Sequence, residues 1–238
     1  MTQTGPRIAL LRPVPPATLE ALEAIGPVAG AGLAAPATPA EQPALLAGAE
    51  VAFITAFDEM RRAQLDLAPR LQRVVSIGSG LDRIDLEACR ARGIAVRNAS
   101  GGVADGTADM AFALMLAAAR NIAAGDRFVR DGRWAAGERT AMGADVFGAT
   151  LGIVGFGRIG RAIARRGAGF GMRMLYTART PKADTHGAER APLAQVLHEA
   201  DFVIVQAPLT EETRGMIDAA ALALMKPTAV LVNTGRGP

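Results

Sequence analysis

The chain has 238 residues, 50% apolar and 21% charged, with 26 basic residues against 23 acidic ones. That apolar share fills a core of small aliphatic side chains and excludes a disordered chain, and the length suits one large domain or two modest ones. The lone Cys89 excludes an intrachain disulfide and a cysteine-built zinc site, Met110–Ala119 is too short for the roughly 20 apolar residues that span a bilayer, and the scattered arginines behind a pI of 9.7 form no dense basic run that would attract nucleic acid.

Met1–Arg7 lacks the basic-then-apolar pattern of a secretory signal, and the single thiol suits a reducing cytoplasm. Arg7–Leu11 (RIALL) predicts a strand and Ala17–Ile25 a helix stopped by Gly26-Pro27. Residues 29–49, rich in Ala, Gly and Pro, give little pattern. Glu50–Thr55 and Arg73–Ile77 read as buried strands, with a helix across Asp58–Leu67 between them. Leu86–Ala91 reads as a helix and Ile94–Val96 as a short strand. This alternation predicts an α/β domain with a parallel sheet. The polar crossing Asn98–Thr107 is the best domain boundary, which gives domains 1–98 and 99–238. After it, Ala108–Arg120 is apolar nearly all round and is expected to be buried on several sides.

The second half alternates more clearly. Strands are expected at Leu151–Gly155, Met172–Thr177, Asp201–Gln206 and Ala229–Asn233, and helices at Ile159–Phe170, Ala191–Ala200 and Ala219–Met225. Gly155-Phe156-Gly157-Arg158-Ile159-Gly160 joins the first of these strands to the first helix. In that context the first glycine permits a tight turn, the second lets backbone approach a pyrophosphate, and the third lets helix pack on strand. The helix N-terminus then offers N–H groups and partial positive charge to the phosphates. A plain glycine turn is the alternative. An NAD-selecting acid belongs at the end of the next strand, but Leu175-Tyr-Thr-Ala-Arg-Thr180 holds Ala178 there, followed by Arg179 and Thr180. An acid would repel a 2′-phosphate and an arginine can bind it, so NADPH is expected over NADH, unless Arg179 only stacks on adenine or faces solvent.

With these residues the sequence resembles the D-isomer-specific 2-hydroxyacid dehydrogenases. The carrying segments are Ser76–Asp85 (SIGSGLDRID), Arg92–Asn98, Ala108-Asp109 with its helix, Gly132-Arg-Trp134, Leu151–Gly160, Ala207–Thr213 (APLTEET) and Asn233–Gly237 (NTGRG). LYTARTPK looks most like the glyoxylate and hydroxypyruvate reductases. The resemblance implies a flavodoxin-like substrate domain and a Rossmann NAD(P)-binding domain, with a cleft between them that binds a small 2-oxo acid. It implies that Ser79 and Gly80 hold the substrate carboxylate through backbone N–H groups, and that Arg236 is the catalytic arginine. It also implies that Ala207, Pro208, Thr213, Asn233 and Thr234 line the cofactor; ordinary turn and cap roles are the alternative for these. Gln206 departs from the His or Asn often found there. A homodimer follows from the family and from the apolar helix after Ala108.

The family's general acid is a histidine paired with a glutamate, both after the NTGRG segment. Only His186 and His198 occur in these 238 residues. The chain is therefore expected to lack the last strands of its second sheet and to be slow or inactive alone. A non-catalytic NADP-binding or dimerising protein is the other reading.

Overall fold

Both sheets are built from short apolar runs with helices between them, the arrangement that covers a parallel sheet on both faces. The computed structural model describes residues 5–99 and 101–237. The chain divides into two units, Met1–Val103 and Ala104–Pro238. The division falls inside the polar crossing Asn98–Thr107, whose last residues already belong to a helix.

The first unit runs β1 (Ile8–Leu10), α1 (Pro16–Glu23), β2 (Val28–Ala29), α2 (Gln42–Leu46), β3 (Val51–Ile54), α3 (Arg62–Asp66), β4 (Arg73–Ser76), α4 (Leu86–Ala91), β5 (Ala95–Asn98). Its strands are all parallel in the order β2-β1-β3-β4-β5, the flavodoxin-like order. Ala52, Ile54 and Val74 bury against Leu65, Cys89 and Ile94. α4 starts where Asp85 Oδ1 accepts the Ala88 N–H at 2.8 Å, a side-chain cap that satisfies an otherwise open donor. The helix expected across Asp58–Leu67 is shorter than that. The Asp58 carboxylate accepts from Thr55 N and Oγ1, both at 2.8 Å, and Met60 pairs with Ile84 as a bridge, so helix begins only at Arg62.

The second unit runs α5 (Ala104–Ala119), α6 (Ile122–Arg130), β6 (Thr150–Val154), α7 (Arg158–Gly169), β7 (Arg173–Thr177), β8 (Glu189–Arg190), α8 (Leu193–Glu199), β9 (Phe202–Val205), α9 (Ala219–Ala223), β10 (Val230–Asn233). Its parallel order is β10-β9-β6-β7-β8. Among the described residues β10 is an edge strand, with Leu231 partly exposed. α5 departs from expectation: Ala108, Ala111, Phe112, Met115 and Ala119 form one buried face, while Met110 and Leu114 stand in the open. The buried face packs in the core with Ile163 of α7 and Val232 of β10. Arg166 of α7 ties the start of α5 down, donating to Asp109 Oδ1 from Nε at 2.8 Å and to the Asp105 carbonyl from Nη2 at 3.1 Å. No helix among the described residues is long and apolar enough to cross a membrane.

Candidate active site

In the second sheet the chain leaves β6 toward β7 on one side and returns as β9 on the other. Crevices at such reversals, outside the carboxyl ends of the strands, are where α/β sheets bind ligands. Gly155 follows β6 there, and Gln206 and Ala207 follow β9. The two loops touch. Gly155 has φ +96°, and a Cβ on it would stand 2.5 Å from the Ala207 nitrogen. Gly160 is equally constrained, since its Cβ would lie 2.5 Å from the Gly155 carbonyl oxygen. Gly157 is the exception: a Cβ there meets nothing within 4 Å. Gly157 is also the N-cap of α7, with no side-chain hydrogen bond closing the helix end, and Arg158 and Ile159 form its first turn. Two glycines thus hold the turn together and the middle one faces open space at a helix N-terminus. That is the shape a dinucleotide pyrophosphate requires, so these residues fit the group.

The next loops converge on the same edge. A cavity of about 110 Å³ is lined by residues that include Ala207, Pro208, Thr213, Met216, Asn233 and Arg236. Thr213 Oγ1 accepts the Thr210 N–H at 2.9 Å and donates to the Pro208 carbonyl at 2.5 Å, which closes the loop after β9. Asn233 shapes the loop after β10: its Nδ2 donates to the Arg236 carbonyl at 2.8 Å and its Oδ1 accepts the Gly235 N–H at 2.9 Å. Gln206 donates to the Thr234 hydroxyl and so joins the two loops. Arg236 is exposed on this edge and its Nη1 donates to the Gly235 carbonyl at 3.2 Å.

The carboxyl end of β7 carries the second group of expected residues. Arg179 is exposed, and its nearest acid is Glu212, 3.9 Å away, from the loop after β9. Lys182 Nζ donates to Thr180 Oγ1 at 2.9 Å, and the Lys182 N–H donates to Tyr176 Oη at 3.2 Å. Tyr176 is buried and stacks on Phe156 of the glycine loop, ring centroids 4.0 Å apart. The phosphate turn and the strand end that follows it are thereby braced against each other.

Ser79 and Gly80 lie in the first unit, in the turn after β4. Buried Ser76 starts that turn, its Oγ accepting the Gly78 N–H at 3.2 Å. Asn98 Nδ2 donates to the Ser79 carbonyl at 2.7 Å and ties the turn to the end of β5.

Residues 112–238 match the NAD binding domain of the D-isomer specific 2-hydroxyacid dehydrogenases. The chain belongs to that family. Over 178 residues it is 51% identical to a glyoxylate reductase of Pyrococcus furiosus, an overlap of 71% of this chain and 53% of that protein. A glyoxylate reductase of Thermococcus onnurineus is 47% identical over 195 residues, 78% of this chain and 58% of the other. The chain spans about half the length of the curated relatives it matches. The structure of the NADPH-dependent glyoxylate/hydroxypyruvate reductase of Sinorhizobium meliloti, in complex with NADP and malonate, superposes with a TM-score of 0.84 at 30% identity, over 98% of this chain and 72% of that one. A D-lactate dehydrogenase of Aquifex aeolicus, complexed with NAD and lactic acid, gives 0.83 at 25%, over 97% and 69%.

Three polar groups beside these residues lie outside what the sequence reading singled out. Lys182 had an available signal, because it sits two residues after Thr180 in the same basic segment. Glu212 had none, since only the fold brings the loop after β9 toward Arg179. Arg190 had none either. It sits on a two-residue strand and donates to the Ala178 carbonyl at 3.0 Å and the Arg179 carbonyl at 3.2 Å.

Proposed function

We propose that this chain binds NADPH along Gly155–Gly160 and the end of β7, and that its protein reduces small 2-oxo acids of the glyoxylate or hydroxypyruvate type in the cytoplasm, as a homodimer. The observation that carries the cofactor choice is the end of β7, where Ala178 replaces an acid and Arg179, Lys182 and Arg190 cluster. Glu212 opposes this only weakly, because both it and Arg179 are well exposed, and such pairs contribute about 0–1 kcal/mol. The name of the Sinorhizobium relative supports both the cofactor and the substrate class, and the glyoxylate reductases of the two archaea support the substrate class.

Gly155–Gly160 and the end of β7 would hold the dinucleotide, which when bound would supply the hydride from its nicotinamide. Ser79 and Gly80 hold the substrate carboxylate by backbone N–H groups, and the turn's anchoring by Ser76 and Asn98 presets that cradle. Arg236 grips the 2-oxo acid and polarises its carbonyl, with its loop fixed by Asn233. In the second unit Ala207, Pro208, Thr213, Asn233 and Thr234 line the cofactor. Neither histidine can give Arg236 a proton-donating neighbour. His186 precedes β8, at the opposite sheet edge from β10, and His198 is in the last turn of α8, ahead of the amino end of β9. General acid–base catalysis contributes about 10²–10⁴-fold, so the 238-residue polypeptide binds cofactor but turns over slowly.

Fluorescence titration of the polypeptide with NADPH and NADH, followed by a glyoxylate assay, tests this. The expected result is NADPH binding about tenfold or more tighter than NADH, the share of one charge-assisted hydrogen bond, with turnover far below an ordinary dehydrogenase. NADH binding as tightly as NADPH overturns the cofactor choice, and ordinary turnover overturns the inactivity.

A further inference from the structure

The Arg190 guanidinium makes three donor contacts to two consecutive peptide carbonyls. Nε and Nη2 reach the Ala178 carbonyl at 3.3 and 3.0 Å, and Nη2 also reaches the Arg179 carbonyl at 3.2 Å. Those carbonyls belong to the strand end where the cofactor's ribose is expected. Turned toward an incoming phosphate, they would present negative partial charge. Held by a guanidinium, they are neutralised and the peptide is fixed.

The chain goes to some length to deliver this side chain. β8 has only two residues, and its pairing sets Arg190 opposite Tyr176. Between Arg179 and β8 the loop turns through Asp184 at φ +53°, His186 at φ +52° and Gly187 at φ +85°. Left-handed backbone at two non-glycine residues is costly, and it persists only where the surroundings enforce it. The return is fastened by Ala191 N to the Tyr176 carbonyl at 2.9 Å and by Lys182 N to Tyr176 Oη. β8 is exposed, so packing does not call for an arginine there.

We propose that Arg190 is a positioning residue for cofactor selection. It holds the 178–180 backbone so that Arg179, Thr180 and Lys182 face one point, the 2′-phosphate of NADPH, and its own charge adds to the field there. This inference rests on the NADPH reading above. The basic groups at this strand end are Arg179, Lys182 and Arg190, and the acid that faces them is Glu212, 3.9 Å from Arg179. Glu189, next to Arg190 on β8, points to the other face of the sheet and acts on Arg173 instead.

The test compares two fragments of the cofactor, 2′,5′-ADP and 5′-AMP, by calorimetric titration of the full chain, wild type and two variants. Arg190→Met removes every donor, and Arg190→Lys keeps the charge and one anchoring bond. The expected result for Arg190→Met is a loss of about tenfold in the 2′,5′-ADP over 5′-AMP affinity ratio, with 5′-AMP affinity unchanged and partial recovery in Arg190→Lys. A ratio kept at the wild-type value in Arg190→Met overturns the inference alone. Equal weakening of both ligands, or loss of folding in both variants, also overturns it, by making Arg190 merely structural. A wild-type chain that shows no preference for 2′,5′-ADP removes the NADPH reading itself and this inference with it.

Discussion

At the scale of single residues the three glycines of the phosphate turn separate structural need from ligand need. Gly155→Ala puts an L side chain at φ +96° and a Cβ against the Ala207 nitrogen. The left-handed backbone alone costs roughly 1–2 kcal/mol, and the close contact adds to it. Gly157→Ala meets no such obstacle, because its φ is −86° and the space beyond is open. Its folding free energy should fall by about 1 kcal/mol or less, the N-cap preference of glycine over alanine. On the proposed binding mode the new methyl group stands in the approach of the pyrophosphate to the helix end, so NADPH affinity should fall roughly tenfold or more. Thermal melts and NADPH titrations of both variants check this. A stable Gly157→Ala protein with wild-type affinity would mean that the phosphates bind elsewhere.

At the scale of elements Asp201 joins three strands where β6, β9 and β10 begin. Its Oδ2 accepts the Thr150 N–H at 2.9 Å, its Oδ1 accepts Lys226 Nζ at 2.7 Å, and its carbonyl accepts the Val230 N–H at 3.0 Å. Burial pushes the Asp201 carboxyl up, but the Lys226 ammonium and the Thr150 N–H outweigh it and hold the group below the usual aspartate range. A carboxylate lowered on folding contributes stability above its unfolded pKa of about 3.9 and loses it as pH falls through the folded value. Asp201→Asn should therefore melt earlier than wild type at neutral pH, by about 1 kcal/mol or less because the pair is partly exposed, and the gap should close in acid. Melting curves across that range decide it; a gap that stays constant with pH would mean the charge contributes nothing. Elements of this kind were legible where apolar periodicity was long: β6, α7, β7 and β9 all lie within a residue or two of expectation. α2 carries no clean period, since proline interrupts it, and β8 is too short to have one. α6 does have a clear apolar face, but glycine and mixed charge within Ile122–Arg130 mask it in a run-by-run reading. The site divides in the same way. Contiguous motifs such as Gly155–Gly160 and Asn233–Arg236 can be read locally, whereas Arg190 and Glu212 reach the end of β7 only through the fold.

At the scale of the whole molecule, apolar surface is concentrated in one stretch of chain. Of the fourteen large apolar side chains exposed among the described residues, seven fall between residues 110 and 147: Met110, Leu114, Ile122, Val129, Trp134, Met142 and Phe147. α5 has already spent one face on its own unit's core, and Met110 and Leu114, one helical turn apart, form part of a second apolar face. Ile122 and Val129 are spaced two turns apart on α6 and share a side in the same way. Apolar side chains left in water each forgo about 1.5–3 kcal/mol of burial, and where they share a helix side a partner surface can recover it. On the homodimer reading proposed above, a second copy of the same surface would cover it by two-fold symmetry without any further partner. The chain should elute with light-scattering mass near twice its 24.6 kDa. Leu114→Glu places a charge inside that contact, where an unpaired buried charge costs about 2 kcal/mol or more, and should give monomers that still bind NADPH. The glycine loop is built from β6, α7 and β9 rather than from the exposed face of α5, so cofactor binding has no reason to follow the dimer into dissociation. A wild-type chain that is monomeric at micromolar concentration, or a Leu114→Glu variant that remains dimeric, would place the apolar stretch outside the subunit contact.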